Sequence, residues 1–434
     1  MADLSPQPRP LVFADLHLHS KFSRATSSQM EVASLHYWGR RKGLQLLATG
    51  DFTHPEYFRQ LTEQLEPDES GFYRLRGAGP DVRFVLSAET SHIYKQAGKT
   101  RRVHMLFLAR SLETAREINR ALASRGNVAS DGRPIFGFSA RHLCELLRGI
   151  DPETLVIPAH IWTPWFSVLG EQSGFDSLEE CFEDETGFLA AAETGLSSDP
   201  EMNWRLSQLD RVALISNSDA HSPSRLGREC NVFRGPLTWT DLGDILRRKD
   251  RERFRFTVEF FPEEGKYHWP GHSACRRSAS PAEYREWGGR CPVCGKPFTG
   301  GVASRVEQLA DRPAGFVPPE AVPSVHLIPL DEIVAEALGK KPASKGVQRV
   351  WDQLVEQGGS ELEILLFAPE NQVAEWAGGR VAEALMRMRR GAVSAVPGYD
   401  GVYGRIRLFD DEAAPADVAP DAGQLSWLEA GPRR

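Results

Sequence analysis

The sequence predicts an α/β protein: a largely parallel sheet with helices over residues 1–255, a small core-poor domain over 256–330 and a helical region over 331–408. Three observations carry this. Short apolar runs alternate with longer amphipathic stretches as far as residue 255 or so, the pattern of strands joined by crossover helices. Residues 260–329 are rich in Gly, Pro, Cys and Trp with little periodicity, and from 331 a helical period returns. At 434 residues the chain is also too long for one ordinary core.

In order, the apolar runs are 11–13, 44–48, 83–86, 103–108, 155–157 and 212–215, with helix-like stretches such as 29–41 and 111–124 between them. Glycine and proline punctuate the joins at 77–80 and 131–134. Further helices are expected at 331–338, 345–357 and 372–390. The tail, 409–434, is acidic and rich in Ala and Pro, and is expected to be disordered.

Composition narrows the class. The chain is 41 % hydrophobic and 26 % charged, as soluble globular proteins are. It has no apolar run near the roughly 18 residues of a membrane span, and MADLSPQPRP has no signal-peptide pattern. A cytoplasmic protein with no membrane partner is expected. The net charge of −7 argues mildly against nucleic acid, but the tail's six acids and two arginines supply −4 of it. A site that gathers divalent cations also needs carboxylates of its own. Basic runs at 40–42, 99–102, 247–249 and 387–390 read more readily as solvated faces than as a phosphate track.

Nearly every early apolar run leads into a metal-ligand residue. The first is followed by Asp15-Leu16-His17-Leu18-His19, the second by Asp51 and His54, the third by Glu89. The fourth contains His104, the fifth ends at His160 and the sixth at Asp219-Ala220-His221. Residues i and i+2 of a strand share a face, so His17 and His19 can hold one ion together. In a closed parallel barrel the strand ends would converge on one rim. Imidazole and carboxylate in such numbers suit about two or three divalent ions, and clustered ions serve phosphoester hydrolysis. His36, His92 and His142 are read as ordinary capping or core histidines.

These residues carry a resemblance. D-L-H-L-H-S (15–20), T-G-D (49–51), the strand-end Glu89, the isolated His104 and S-D-A-H-S (218–222) resemble the polymerase and histidinol phosphatase (PHP) superfamily. That implies a distorted β/α barrel over 1–255 with up to three metals. Many members have an acid five residues after the second His; here Arg24 stands there, which distinguishes the chain from small-molecule phosphatases. H-S-K-F-S-R-A-T-S (19–27), L-L-A-T-G-D-F-T-H-P (46–55), P-A-H-I-W-T-P-W-F-S (158–167) and G-K-Y-H-W-P-G-H (265–272) with C-P-V-C-G (291–295) resemble the endonuclease Q family. This narrower resemblance implies a DNA-repair endonuclease acting on damaged double- or single-stranded DNA. Such an enzyme cuts 5′ to hypoxanthine, xanthine or uracil and at abasic sites.

The expected barrel ligands are His17, His19, Glu89, His104, His160, Asp219 and His221, with Asp51 next. Asp219 and His221 are the expected catalytic pair, Asp219 orienting or deprotonating water. Zinc, magnesium and manganese all suit these ligands.

His272-x-x-Cys275, then Cys291-Pro-Val-Cys294-Gly after fifteen residues, has the spacing of a closed structural zinc site. His268 is an alternative to His272. Three other cysteines, Cys144, Cys181 and Cys230, are read as buried thiols.

Trp162, Trp165 and Phe166 follow His160 and are candidates to stack an extruded base, with Tyr267 and Trp269 behind them. Asn217 offers a donor and an acceptor to a base edge, and Ser197 or Ser198 a hydroxyl. A loop hydrogen bond explains each of these as well. Glycine turns at 391–406 follow a basic helix end and could meet phosphates, though a plain turn suffices. The rival readings are a phosphatase of the histidinol-phosphate kind and a non-catalytic scaffold that binds DNA or a helicase. No repair-protein partner is encoded in a recognisable motif.

Overall fold

The computed structural model describes residues 10–409, so the readings of the N-terminal leader and the acidic tail lie outside the described residues. Ten strands organise the fold: β1 (Leu11–Asp15), β2 (Leu46–Ala48), β3 (Arg83–Gln96), β4 (Lys99–Ala109), β5 (Leu155–Pro158), β6 (Ala191–Glu193), β7 (Ala213–Ile215), β8 (Cys230–Arg234), β9 (Phe254–Glu259) and β10 (Ser324–His326). β1, β2 and β3 pair in parallel. β4 is antiparallel to both β3 and β5. A parallel bridge between Val156 and Leu189 leads on to the parallel pair β6–β7. A parallel bridge between Leu18 and Ala220, just past the ends of β1 and β7, closes the ring. The result is a distorted β/α barrel.

The antiparallel pairs depart from the expected parallel sheet, and the reason is local. β3 and β4 are joined by Ala97-Gly98, both at positive φ (49° and 75°), the mirror-image turn that suits a two-residue hairpin. β3 therefore runs on to Gln96 instead of ending near Glu89. Ser91 faces His104 and Glu89 faces Leu106 across the pair, which makes Glu89 and His104 diagonal neighbours on one face.

β8 and β9 extend the sheet antiparallel from β1, and β10 adds in parallel to β9. Between β9 and β10 lies the lobe that carries the Cys/His motif. Its own core is small: Ala279, Cys291 and Phe298, flanked by Cys275, Tyr284 and Trp287. Helices follow at Leu330–Ala337, Lys345–Gly358, Glu361–Leu366, Glu370–Ala377 and Gly379–Arg389. The long helix expected over 372–390 is broken at Gly378, whose φ of 90° no helix accommodates. These helices dock on helix Val32–Lys42 of the barrel. There the buried Lys42 ammonium and the Trp351 indole N–H both donate to Glu361 Oε2, at 2.8 Å each. No described helix is long and apolar enough to cross a membrane.

Candidate metal centre and its neighbours

All seven expected barrel ligands meet in one cleft. Three overlapping groups form: His17, His19 and Glu89; His19, Asp219 and His221; Glu89, His104 and His160. Within each, the ligand atoms lie within 4.8 Å of one another. His19 Nε2 approaches Glu89 at 3.3 Å and Asp219 at 3.2 Å, and Glu89 Oε1 lies 2.9 Å from His104 Nδ1 and 3.2 Å from His160 Nε2. His19 and Glu89, each shared between two groups, make this a continuous basin.

The outer nitrogen of each leading histidine is tied down. His17 Nδ1 sits 3.0 Å from both Glu193 oxygens and His19 Nδ1 3.0 Å from Asp51 Oδ1. A carboxylate on Nδ1 keeps the proton there and aims Nε2 inward. Those inward atoms, His17 Nε2 and His19 Nε2, are buried and have no hydrogen-bond partner, as is Asp219 Oδ1. Buried polar atoms are seldom left so, and here three share one basin of imidazole and carboxylate. These residues fit divalent cations.

The charges agree. Burial pushes Glu89 up and is outweighed by His104 and Arg133, which hold its carboxyl well below the usual range. Burial likewise opposes charge on His17, yet Glu193 and Glu89 hold its pKa well above the ordinary value. The basin therefore wants positive charge facing its carboxylates, from protons or metal ions. The backbone is strained around it: Asp51, His160 and Asp219 all have positive φ, 44°, 29° and 46°. Such strain gathers at functional sites. Gly195 packs so tightly that a Cβ there would stand 2.6 Å from that of His160.

Several expected side chains lie elsewhere. Asp51 supports the basin from behind: its oxygens are taken by His19 Nδ1, the Ser20 N–H and hydroxyl, and the Ser23 hydroxyl. His54 stacks on Phe22, ring centres 4.3 Å apart. Trp162 is a core residue, 1 % exposed, and its indole N–H donates to Asn203 at 2.7 Å, so it offers no stacking face. The Asn217 amide is spent inside the protein. Its oxygen accepts from the Leu16 N–H and Asn231, and its nitrogen donates to Glu193, leaving no edge for a base. Ser197 is buried beneath Gly265, and its carbonyl takes the His268 Nδ1 contact at 3.1 Å. His268 is not in the group of ligand atoms that gathers in the lobe, where His272 stands with the three cysteines. Phe166 packs on His104 at 4.8 Å and accepts the His104 N–H through its carbonyl. Of the expected aromatics, Trp165 is exposed.

Two residues at the centre went unread in the sequence. Glu193 backs His17 and also accepts the His160 N–H. It follows the short apolar run 189–192, the same signature as the other ligands. Arg133 contacts Glu89 Oε2 at 3.0 Å, but its glycine-proline surroundings read only as a turn.

The second set also assembles. His272, Cys275, Cys291 and Cys294 present ligand atoms within 4.8 Å of one another, and Cys294 Sγ lies 3.5 Å from His272 Nδ1. Burial pushes the Cys291 thiol up, but the Val293 and Cys294 N–H groups outweigh it and bring it down to about 7. That favours the thiolate a metal requires. Four protein ligands suit a closed zinc site.

The family described as MJ0043 C-terminal domain matches residues 329–392. The protein MJ0043 of Methanocaldococcus jannaschii is 32 % identical over 251 residues, 56 % of this chain but only 31 % of that protein's length. The crystal structure of the lesion-specific endonuclease PfuEndoQ from Pyrococcus furiosus superposes with a TM-score of 0.81 at 31 % identity, covering 92 % of this chain and 95 % of that one. An endonuclease Q bound to a 27-mer duplex substrate with an abasic lesion at the active site gives 0.82 at 31 % identity, covering 94 % and 100 %. With that identity over nearly the full length of both, the chain belongs to the endonuclease Q family.

Proposed function

We propose that this protein is a metal-dependent DNA endonuclease of DNA repair. It hydrolyses the phosphodiester 5′ of deaminated bases (hypoxanthine, uracil, xanthine) and at abasic sites, leaving a 3′-hydroxyl and a 5′-phosphate. The observation that carries this is the single basin of His17, His19, Glu89, His104, His160, Asp219 and His221, with its unpartnered inward atoms. A solved relative of similar fold holds a lesion duplex at its active site, which supports DNA as the substrate.

Divalent cations in the basin would activate water and offset charge on the phosphoryl oxygens. The chain's own residues supply the rest. Glu193 and Asp51 fix the ring orientation of His17 and His19. Arg133 holds Glu89 and brings positive charge to the rim, and the exposed Arg24, paired with Asp131 at 3.1 Å, adds to it. Asp219 is held on a strained loop with Oδ1 free, placed to orient or deprotonate water. His272, Cys275, Cys291 and Cys294 would hold zinc, which would stiffen the lobe beside the cleft.

The test is cleavage of a 5′-labelled duplex with one deoxyinosine beside an undamaged duplex, in zinc, manganese and magnesium. A single cut 5′ of the inosine is expected. No cut in any metal, with turnover of a small phosphomonoester, would replace this reading with a phosphatase.

A further inference from the structure

We propose that Trp165, Tyr267, Lys266 and Tyr403 form a stacking ridge for the DNA strand beside the metal centre, with Tyr403 as the residue that receives an unstacked nucleobase. The inference rests on the endonuclease reading and deepens it.

The ridge is continuous from the basin outward. Thr163 joins the His160 ring nitrogen to the loop, 3.2 Å from Nδ1 and 2.9 Å from the Trp165 carbonyl that its hydroxyl donates to. Trp165 meets Tyr267 edge-on, ring centres 5.9 Å apart. The Lys266 ammonium lies between Tyr267 and Tyr403, 5.5 and 5.9 Å from their ring centres. Tyr403 is 70 % exposed and Trp165 37 %, and with Tyr267 and Lys266 they adjoin one another instead of being scattered singly, the arrangement that marks an interaction surface.

What holds Tyr403 there is rigid. It sits in the loop 397–404 between two short paired strands, Ser394–Val396 and Arg405–Arg407. That loop is stitched to the segment after β9 through backbone bonds: Gly398 to Glu263 at 2.7 Å, Gly401 to Lys266 at 2.9 Å, Gly404 to Glu264 at 3.1 Å, and Trp269 to Gly398 at 2.9 Å. Asp400 accepts the Ser273 N–H from the zinc lobe at 2.7 Å. A Cβ at Gly404 would collide with the Glu263 carbonyl, and one at Gly398 with the Gly404 amide. Every anchor is backbone, glycine or Asp400, and none uses the Tyr403 ring. A fixed loop thus carries an exposed aromatic face with the Lys266 ammonium beside it. An aromatic face beside a cation matches a base beside its phosphate. Extruding a damaged nucleotide also opens a step in the duplex that such a face can fill.

The experiment uses the full chain and a labelled duplex with one deoxyinosine, comparing wild type, Tyr403→Ala and Tyr403→Phe. Tyr403→Ala should lose about 5- to 150-fold in kcat/KM, the range of one lost base stack, with melting temperature and metal content unchanged. Tyr403→Phe should stay within about twofold of wild type, since the ring and not the hydroxyl does the stacking. If wild type cuts and Tyr403→Ala cuts equally fast, the ridge is refuted and the endonuclease reading stands. Tyr403→Phe as impaired as Tyr403→Ala would also refute it, pointing to the hydroxyl instead. If wild type cuts no lesion duplex, both readings fall.

Discussion

The two clusters of candidate metal ligands in this chain are held by opposite means. In the barrel, His17, His19 and Glu89 are 1 % exposed or less, and each leading histidine is fixed by a buried carboxylate. That centre sits in the main core and is organised by the fold. In the lobe between β9 and β10, the four ligands ride on strands of two residues and tight turns, around a core of three buried residues. There a metal would organise the fold. Disturbing one set should therefore cost chemistry, and disturbing the other structure.

The largest effect is expected at Asp219. Asp219→Asn should lower cleavage of a lesion duplex by about 10³-fold or more while DNA binding persists, since it removes the charge facing His17 and His19. Fluorescence anisotropy beside the cleavage assay separates the two. Next, Cys291→Ser or mild chelation should make residues 260–323 sensitive to protease and release one zinc, while the barrel keeps its far-UV circular dichroism. A structural zinc contributes on the order of 10 kcal/mol to folding such a segment. Cooperative collapse of the whole chain would erase the contrast between the two regions.

A smaller effect sharpens it. Glu193→Gln should weaken metal binding in the barrel by about 10- to 100-fold, because the partner that sets the His17 tautomer changes, and leave the lobe's zinc untouched. Metal analysis after graded dialysis reads both at once.

The smallest effect is on pH. His326, on the strand returning from the lobe, lies 3.1 Å from Asp199 Oδ2 on the barrel side. Burial opposes its charge, but Asp199 outweighs this and lifts its pKa from 6.5 to about 9. A raised histidine pKa means the folded state binds the extra proton, so the stabilisation is complete below about 6.5 and fades as pH rises through about 9. The melting temperature of wild type over Asp199→Asn should be greatest near pH 6 and shrink towards pH 9.5. A constant difference would show that the pair does not titrate in this window.

The contrast between the regions also explains what the sequence disclosed. Both clusters are legible because each is local in part: His17 with His19, Asp219 with His221, Cys291 with Cys294. Glu89 and His104 are neighbours for a reason the apolar runs alone do not show. They meet through a hairpin whose Ala97-Gly98 turn lacks the usual Asn or Asp. The roles of Asp51, Asn217 and Trp162 could not be read from their neighbours along the chain. What decides them is which partner satisfies each polar group, Ser20 and Ser23 for Asp51, Leu16 and Glu193 for Asn217, Asn203 for Trp162. Glu193 was missed although it carries the common signature, because the run before it is short.

The most direct test of the central claim, that the barrel basin is a metal centre cutting DNA, is reconstitution. Protein stripped of metal and then titrated with manganese, zinc or magnesium would be assayed on the abasic-analogue duplex, beside His17→Ala/His19→Ala with its lobe zinc intact. The account predicts that cleavage returns with metal in the wild type and never in the double variant. Full cleavage by the stripped protein, or restoration in the double variant, would contradict it.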